Sequence, residues 1–267
     1  MNSKINDRMK EYYEEPARTK LTRRTPVIVR VDGRAFHTFT KNLKKPFDMH
    51  LTRAMQATAK YLLQNVQGAK MVYTQSDEIS LLLIDYDGLD QSAFFDYEVQ
   101  KIVSTIASMA TCYFNRTFGL SATNTMMDMS AAPSKDAEHR KYFNALSQCA
   151  DEGATFDARC FNIPEHEVVN YFVSRQKDAY RNSISSIGRS MFSQKMLHKK
   201  HTEDILKMIA EYKGINDITT EYAEATVYGY ELHRTKDGNG KTVYNSYCAN
   251  NFNDVRVQIE SELIPDV

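Results

Sequence analysis

The sequence predicts an α+β fold with a ferredoxin-like βαββαβ core, and three observations carry that reading. Val27–Val31 is an alternating, β-branched run that ends on Asp32 and Gly33, as a strand entering a sharp turn does. Lys70–Thr74 and Ile79–Ile84 are apolar runs joined by the short polar turn QSDE, the composition of a hairpin. Stretches with apolar residues three and four apart follow the first and third of these runs, and Phe156–Ile163 supplies a fourth strand.

Taken in order, Ile5–Glu15 is a short charged helix that Pro16 stops. Arg18, Lys20, Arg23 and Arg24 then crowd the loop ahead of the first strand, where they serve either as a solvated basic face or as phosphate contacts. Phe47–Gln64 sets Leu51, Met55, Ala59 and Leu62 on one helical face, with Asp48 near its start. Tyr97–Phe118 does the same with Ile102, Ile106, Met109, Ala110 and Tyr113, while Ser121–Ser134, rich in Met, Ala and Ser, carries no clear assignment.

After the fourth strand, Pro164 opens a helix through Val168–Phe172 that runs on past Ser174, and Ser193 and Thr202 are candidate N-caps of two shorter helices. Lys195, His198, Lys199, Lys200 and His201 lie between those caps, either as a solvated knuckle or as a contact for an RNA backbone. No acid or cysteine accompanies the two histidines, which argues against a metal there. Thr226–Leu232 and Lys241–Tyr247 flank the turn DGNG as a hairpin, and Tyr228, Tyr230, Tyr244 and Tyr247 fit a core or subunit interface better than base stacking. Val255–Leu263 reads as a last strand, so residues 1–190 hold the main sheet and long helices and residues 191–267 an appendage integral to the same domain.

At 267 residues, 42% hydrophobic and 25% charged, the chain is long enough for a sizeable core. Its 34 basic and 34 acidic residues cancel, which excludes bulk charge as the means of holding RNA or an anionic membrane and leaves that task to local patches. Four scattered cysteines without CxxC spacing point to a reducing compartment. A polar N-terminus and the lack of any long apolar run add the expectation of a cytoplasmic protein with no membrane partner.

In a βαββαβ sheet the third strand lies between the first two and runs antiparallel to both, so it starts at the edge where the first strand ends. That topology brings Asp32 and Asp77 to one edge on neighbouring strands. Two acids there can share divalent cations: Mg²⁺ takes oxygen ligands, typically one or two carboxylates with phosphate and water, and a pair of ions serves phosphoryl or nucleotidyl transfer. The Gly33 carbonyl is a further candidate ligand, because glycine lets the backbone turn inward, and Glu78 is the spare acid. The plainer alternative is that D-G and S-D-E are turn compositions with no metal between them.

The strings DGRAFH (Asp32–His37), KKPFD (Lys44–Asp48), QSDE (Gln75–Glu78), QKIVSTIASMATCYF (Gln100–Phe114) and FDARCFNIP (Phe156–Pro164) together resemble the tRNA(His) guanylyltransferase superfamily, polymerases that extend tRNA at its 5′ end. The resemblance implies a catalytic palm-like domain with two or more Mg²⁺ ions on Asp32, Asp77, Glu78 and the Gly33 backbone. It implies ATP and GTP as substrates, tRNA as partner and a homotetramer. Arg34, Ala35, Phe36, His37 and Lys45 would receive the activating nucleotide, with Asp48 near the base and Ser76 in the same motif. Arg30, Lys101 and Arg159 would hold a second triphosphate.

The helix string RQKDAYRNSISSIG (Arg175–Gly188) departs from the HINNLYN of guanylyltransferases that mature tRNA(His), whose His falls on Tyr180 and of which Asn182 is retained. This departure resembles the guanylyltransferase-like branch that repairs 5′-truncated tRNAs by templated addition. Two rival classes stand beside it: a conventional palm enzyme, either a nucleotide cyclase or a 5′-to-3′ polymerase, and a tRNA-binding module without catalysis. The intact Asp32, Gly33, Asp77 and Glu78 argue against the second.

Overall fold

A computed structural model describes residues 2–131, 136–247 and 259–260. A six-stranded antiparallel sheet in the order β4-β1-β3-β2-β5-β6 is formed by β1 (Val27–Gly33), β2 (Ala69–Gln75), β3 (Glu78–Leu83), β4 (Phe156–Asn162), β5 (Tyr230–Lys236) and β6 (Thr242–Tyr247). The first four strands follow the ferredoxin-like arrangement, with β3 between β1 and β2. The hairpin β5–β6 continues the same sheet, because β5 pairs with β2 from Met71↔His233 to Thr74↔Tyr230.

The helices are α1 (Asn2–Met9), α2 (Phe36–Phe39), α3 (Met49–Asn65), α4 (Val99–Ala131), α5 (Ala137–Glu152), α6 (Glu165–Met191), α7 (Gln194–Leu197), α8 (Thr202–Lys213) and α9 (Glu224–Val227). They cover both faces of the sheet. Val27, Val29, Val31, Leu81 and Leu83 pack with α3 and α4 through Met55, Leu62, Ile106 and Phe114. Ile28, Met71 and Leu82 pack with Val168, Phe172 and Ala179 of α6 on the other side. Covered twice, every residue of β3 is buried.

The structure departs from the sequence expectations in five places. α4 starts at Val99, after a turn in which Phe95, Asp96 and Tyr97 all take left-handed backbone angles, and it runs to Ala131, absorbing most of Ser121–Ser134. From Val99 on, no proline occurs before Pro133, and Ala122 is buried in the core while Met126 and Met129 pack against it. α5 was not expected, although Asp136 caps it and Gly153 follows it with φ 66°. Its buried stripe is only Ala145, Leu146 and Cys149, too narrow to stand out as a helical period.

At α8 the N-cap is His201 rather than Thr202, because Asp204 reaches back to the His201 amide at 3.1 Å. Thr226 and Val227 belong to α9 rather than to the hairpin, and the strand begins at Tyr230. Of the strand expected over Val255–Leu263, only Ile259 and Glu260 are among the described residues, and they are helical.

Gly229 joins α9 to β5 at φ +90°, and a Cβ there would lie 2.2 Å from the Tyr73 hydroxyl, which donates to the Tyr228 carbonyl at 2.6 Å. Gly229→Ala therefore meets a forbidden backbone angle and a buried side chain at once. It is expected to destabilise the chain by about 1–3 kcal/mol, read as a lower urea midpoint at unchanged slope.

Candidate active site

Period-two alternation along β1 sends Arg30 and Asp32 to the face that α6 covers only in part. Register completes the group: Asp32 lies opposite Glu78 on β3 and Asp157 on β4, and Arg30 opposite Ser80 and Arg159. Arg30 Nε donates to Asp32 Oδ2 at 3.0 Å, and Arg159 Nη2 lies 2.9 Å from the same oxygen. Asp77 occupies the β2–β3 turn, where its carbonyl accepts from the Gly33 amide at 3.0 Å. The two aspartates thus meet at one edge, as the topology predicted.

Their electrostatics show what this costs. Burial pushes the Asp77 carboxyl above its ordinary range, a hydrogen bond from Ser76 Oγ at 3.0 Å opposes this, and the negative Asp32 adds to it. Burial raises Glu78 likewise, against the pull of Arg175 and then Arg30. For Arg30, burial works against the charged form, and Glu78 and Asp32 more than offset it. Carboxylates held partly dry beside one another are stabilised by added positive charge.

Gly33 is needed at this edge for space. A Cβ there would sit 2.1 Å from the Phe36 ring, which packs on Phe114 and Phe156 at centroid separations of 5.7 and 5.2 Å. The strand can therefore turn directly beneath the aromatic core. Ala35 takes the left-handed conformation ahead of α2, and the Arg34 amide is bound to the Thr155 carbonyl at 2.8 Å.

Beside the edge opens a cavity of ≈ 420 Å³. Its walls come from the α2–α3 connection (His37, Lys44, Lys45 and Asp48), the β2–β3 turn (Ser76 and Asp77) and the second half of α6 (Asn182, Ser186 and Arg189). Lys45 Nζ donates to the Thr40 carbonyl at 3.0 Å. Asp48 is an N-cap whose oxygens are already engaged: it accepts from the His50 and Leu51 amides at 2.9 and 3.4 Å, from the Lys44 amide at 3.2 Å, and from the Tyr142 hydroxyl at 2.9 Å. It shapes the lysine loop.

Phe36 is buried and touches the cavity, whereas Arg34 and Ala35 are exposed and do not line it. Lys101 is paired beside the start of its own helix. Its Nζ lies 3.5 Å from Glu98 at the start of α4, which is tied to Thr19 and Leu21 near the first residues of β1.

Arg23 is committed to Asp85 at 2.6 Å, Asp96 at 3.2 Å and the Gln91 carbonyl at 3.0 Å, and the Arg24 amide also binds Asp85. Lys195, His198, Lys199 and Lys200 are exposed on and after α7. The sequence reading missed Arg175 and Arg189. Arg175 Nη1 contacts Glu78 Oε2 at 3.4 Å, and its signal in the sequence is its place one helical turn after Tyr171, whose hydroxyl meets Ser80 Oγ at 2.9 Å.

The donor set at the edge, Asp32, Asp77 and the Gly33 carbonyl, is all oxygen and suits a hard divalent cation. Among the described residues no group of three or more His, Cys, Asp or Glu converges as a closed metal cage. Mg²⁺ normally completes such a partial set with phosphate and water, so the residues present fit it.

Asp77→Asn removes the cost of holding that charge at the edge. With its folded pKa raised, Asp77 contributes stability that is fully present below its unfolded pKa and lost as pH rises through the folded one. The variant is therefore expected to be more stable than the parent at neutral pH without divalent ions. That gain should shrink to nothing as pH falls toward 4, measured by urea denaturation across the range.

The tRNAHis guanylyltransferase sequence profile matches residues 6–164. A solved bacterial tRNA(His) guanylyltransferase-like protein in complex with ATP is 35% identical, with a TM-score of 0.77 over 98% of this chain and 100% of that one. A GTP complex of such a bacterial protein is 34% identical, with a TM-score of 0.70 over 97% and 99%. The tRNA(His) guanylyltransferase of Debaryomyces hansenii is 28% identical across 60% of this chain and 52% of its own length. With this profile match over more than half its length, the chain belongs to the tRNA(His) guanylyltransferase family and is a nucleotidyltransferase.

Proposed function

We propose that this protein adds nucleotides to the 5′ end of tRNA in the 3′-to-5′ direction, templated by the opposing strand, and so repairs truncated tRNAs. Addition of G to tRNA(His) is within the same chemistry. The observation that carries this is the junction of Asp32 and Asp77 at one sheet edge, opening on a cavity with lysines and an arginine in its walls. ATP and GTP in the bacterial neighbours agree with nucleotides as its occupants.

In the first stage a tRNA 5′-monophosphate oxygen attacks the α-phosphorus of ATP or GTP, forming a P–O–P bond while pyrophosphate leaves. In the second, the 3′-hydroxyl of an incoming NTP attacks the activated 5′ phosphorus, and the nucleoside monophosphate leaves. A 5′-triphosphate end enters the second stage directly. Asp32, Asp77 and the Gly33 carbonyl would hold Mg²⁺, which when bound supplies charge stabilisation of the phosphates. His37, Lys45, Arg189 and Ser76 hold the activating nucleotide in the cavity. Arg30 and Arg159, paired with Asp32 in the free protein, turn to the second triphosphate as its charge arrives.

The apolar cavity floor, with Leu43, Leu51 and Met55, excludes water from one side of the nucleotide. The exposed Lys195–Lys200 knuckle is the proposed contact for the RNA backbone. We further place the protein in the cytoplasm as a homotetramer. No helix among the described residues is long and apolar enough to cross a membrane.

The test is to give the purified chain Mg²⁺, NTPs and a 5′-monophosphorylated tRNA lacking its first nucleotide. The product is expected to lengthen at the 5′ end with the base complementary to the 3′ strand. Asp32→Ala and Asp77→Ala should each lower the rate by roughly 10²–10³-fold or more while leaving tRNA binding intact. No extension of several truncated tRNAs, or release of a cyclic nucleotide without RNA, would overturn the assignment.

A further inference from the structure

We propose that Arg175 is a positioning residue: through Glu78 it latches α6 to the sheet and thereby fixes the wall of the nucleotide cavity. This inference rests on the nucleotide assignment made above for that cavity. Glu78 is the first residue of β3 and is buried at 8% exposure, a place where a carboxylate needs a permanent partner. Arg175 supplies it, with Nη1 3.4 Å from Glu78 Oε2 and Nη2 2.8 Å from Asp178 on its own helix. Asp178 is held from its far side by Arg181 at 2.8 Å.

The position of this pair along α6 gives it leverage. Val168, Val169 and Phe172 seat the first half of the helix on Ile28, Met71 and Leu82, and Tyr171 meets Ser80 at 2.9 Å. Arg175 is the next turn and lies at the last sheet position, since β3 begins at Glu78. Beyond it α6 passes the sheet edge, and Asn182, Ser186 and Arg189 face Ser76 and Asp77 across the cavity. Asn182 lies about 10 Å and Arg189 about 20 Å further along the helix axis. A small tilt at Arg175 is therefore enlarged at the cavity wall.

Arg175 also divides the charges. Glu78 Oε2 is 4.0 Å from Arg30 Nε, which binds Asp32 at 3.0 Å. Arg175 lies nearer to Glu78 Oε2 than Arg30 does, 3.4 Å against 4.0 Å, so Glu78 keeps a cationic side chain beside it when a triphosphate draws Arg30 away. Glu78 then serves the helix rather than a cation, which distinguishes it from Asp32 and Asp77.

Binding of a Mg²⁺ complex of α,β-methylene-ATP to the full chain, measured by calorimetry, tests this. Arg175→Gln is expected to weaken binding roughly 10–100-fold, with Arg175→Lys recovering most of the loss. Because a lone buried Glu78 can itself unfold the chain, the deciding variant is Arg175→Gln with Glu78→Gln. It should fold, bind as weakly as Arg175→Gln alone, and keep the parent's Mg²⁺ half-saturation in the extension assay. Parent-like binding by the double variant, or a shifted Mg²⁺ half-saturation, overturns the latch. Failure of the parent itself to bind the nucleotide would instead overturn the function proposed above.

Discussion

Three carboxylates, Asp32, Asp77 and Glu78, share the edge where β1 ends and β3 begins, and much of the surrounding structure answers their repulsion. Antiparallel register sets Asp32 directly opposite Glu78, and the two-residue turn places Asp77 against Gly33. Arg30 and Arg159 converge on Asp32, while Arg175 holds Glu78. Asp77 receives the Ser76 hydroxyl and a backbone N–H, and no cation among the described residues pairs with it. The acid least relieved by the protein is thus the one at the mouth of the cavity, where phosphate-bound cations would arrive.

The same edge explains why the local sequence is so restricted. Gly33 leaves room for the Phe36 ring, Phe36 joins the aromatic cluster with Phe114 and Phe156, and that cluster fixes α4 and β4 beneath the site. DGRAFH is therefore one carboxylate followed by a device for turning over a packed core. Burial at Asp77 works against its charge, a cost to stability that the fold carries at this edge.

Much of this was legible in the sequence. β1 to β4 and the meeting of Asp32 with Asp77 follow from hydrophobic period and from the geometry of a split βαβ, both local signals. The grouping of Arg159 with Arg30 was implied by the family resemblance alone, and the β1–β4 register sets the two opposite each other. What was not legible depends on contacts between distant segments. The start of α4 is tied to Thr19 and Leu21, a contact that nothing in the helix's own sequence signals. Asp48 reads as a free acid near a base until Tyr142, on the unexpected helix α5, is found donating to it. Arg175 reads as an ordinary helix charge, and the buried Glu78 gives it a partner on the sheet.

The most direct measurement of the carboxylate edge is the number of Mn²⁺ ions bound per chain with α,β-methylene-ATP, counted by electron paramagnetic resonance. The parent is expected to hold about two ions, as a pair of metals at one phosphate site requires. Replacing both aspartates, Asp32→Asn with Asp77→Asn, should remove at least one of them while the chain stays folded. An unchanged count in that double variant would contradict a cation site built on these two residues.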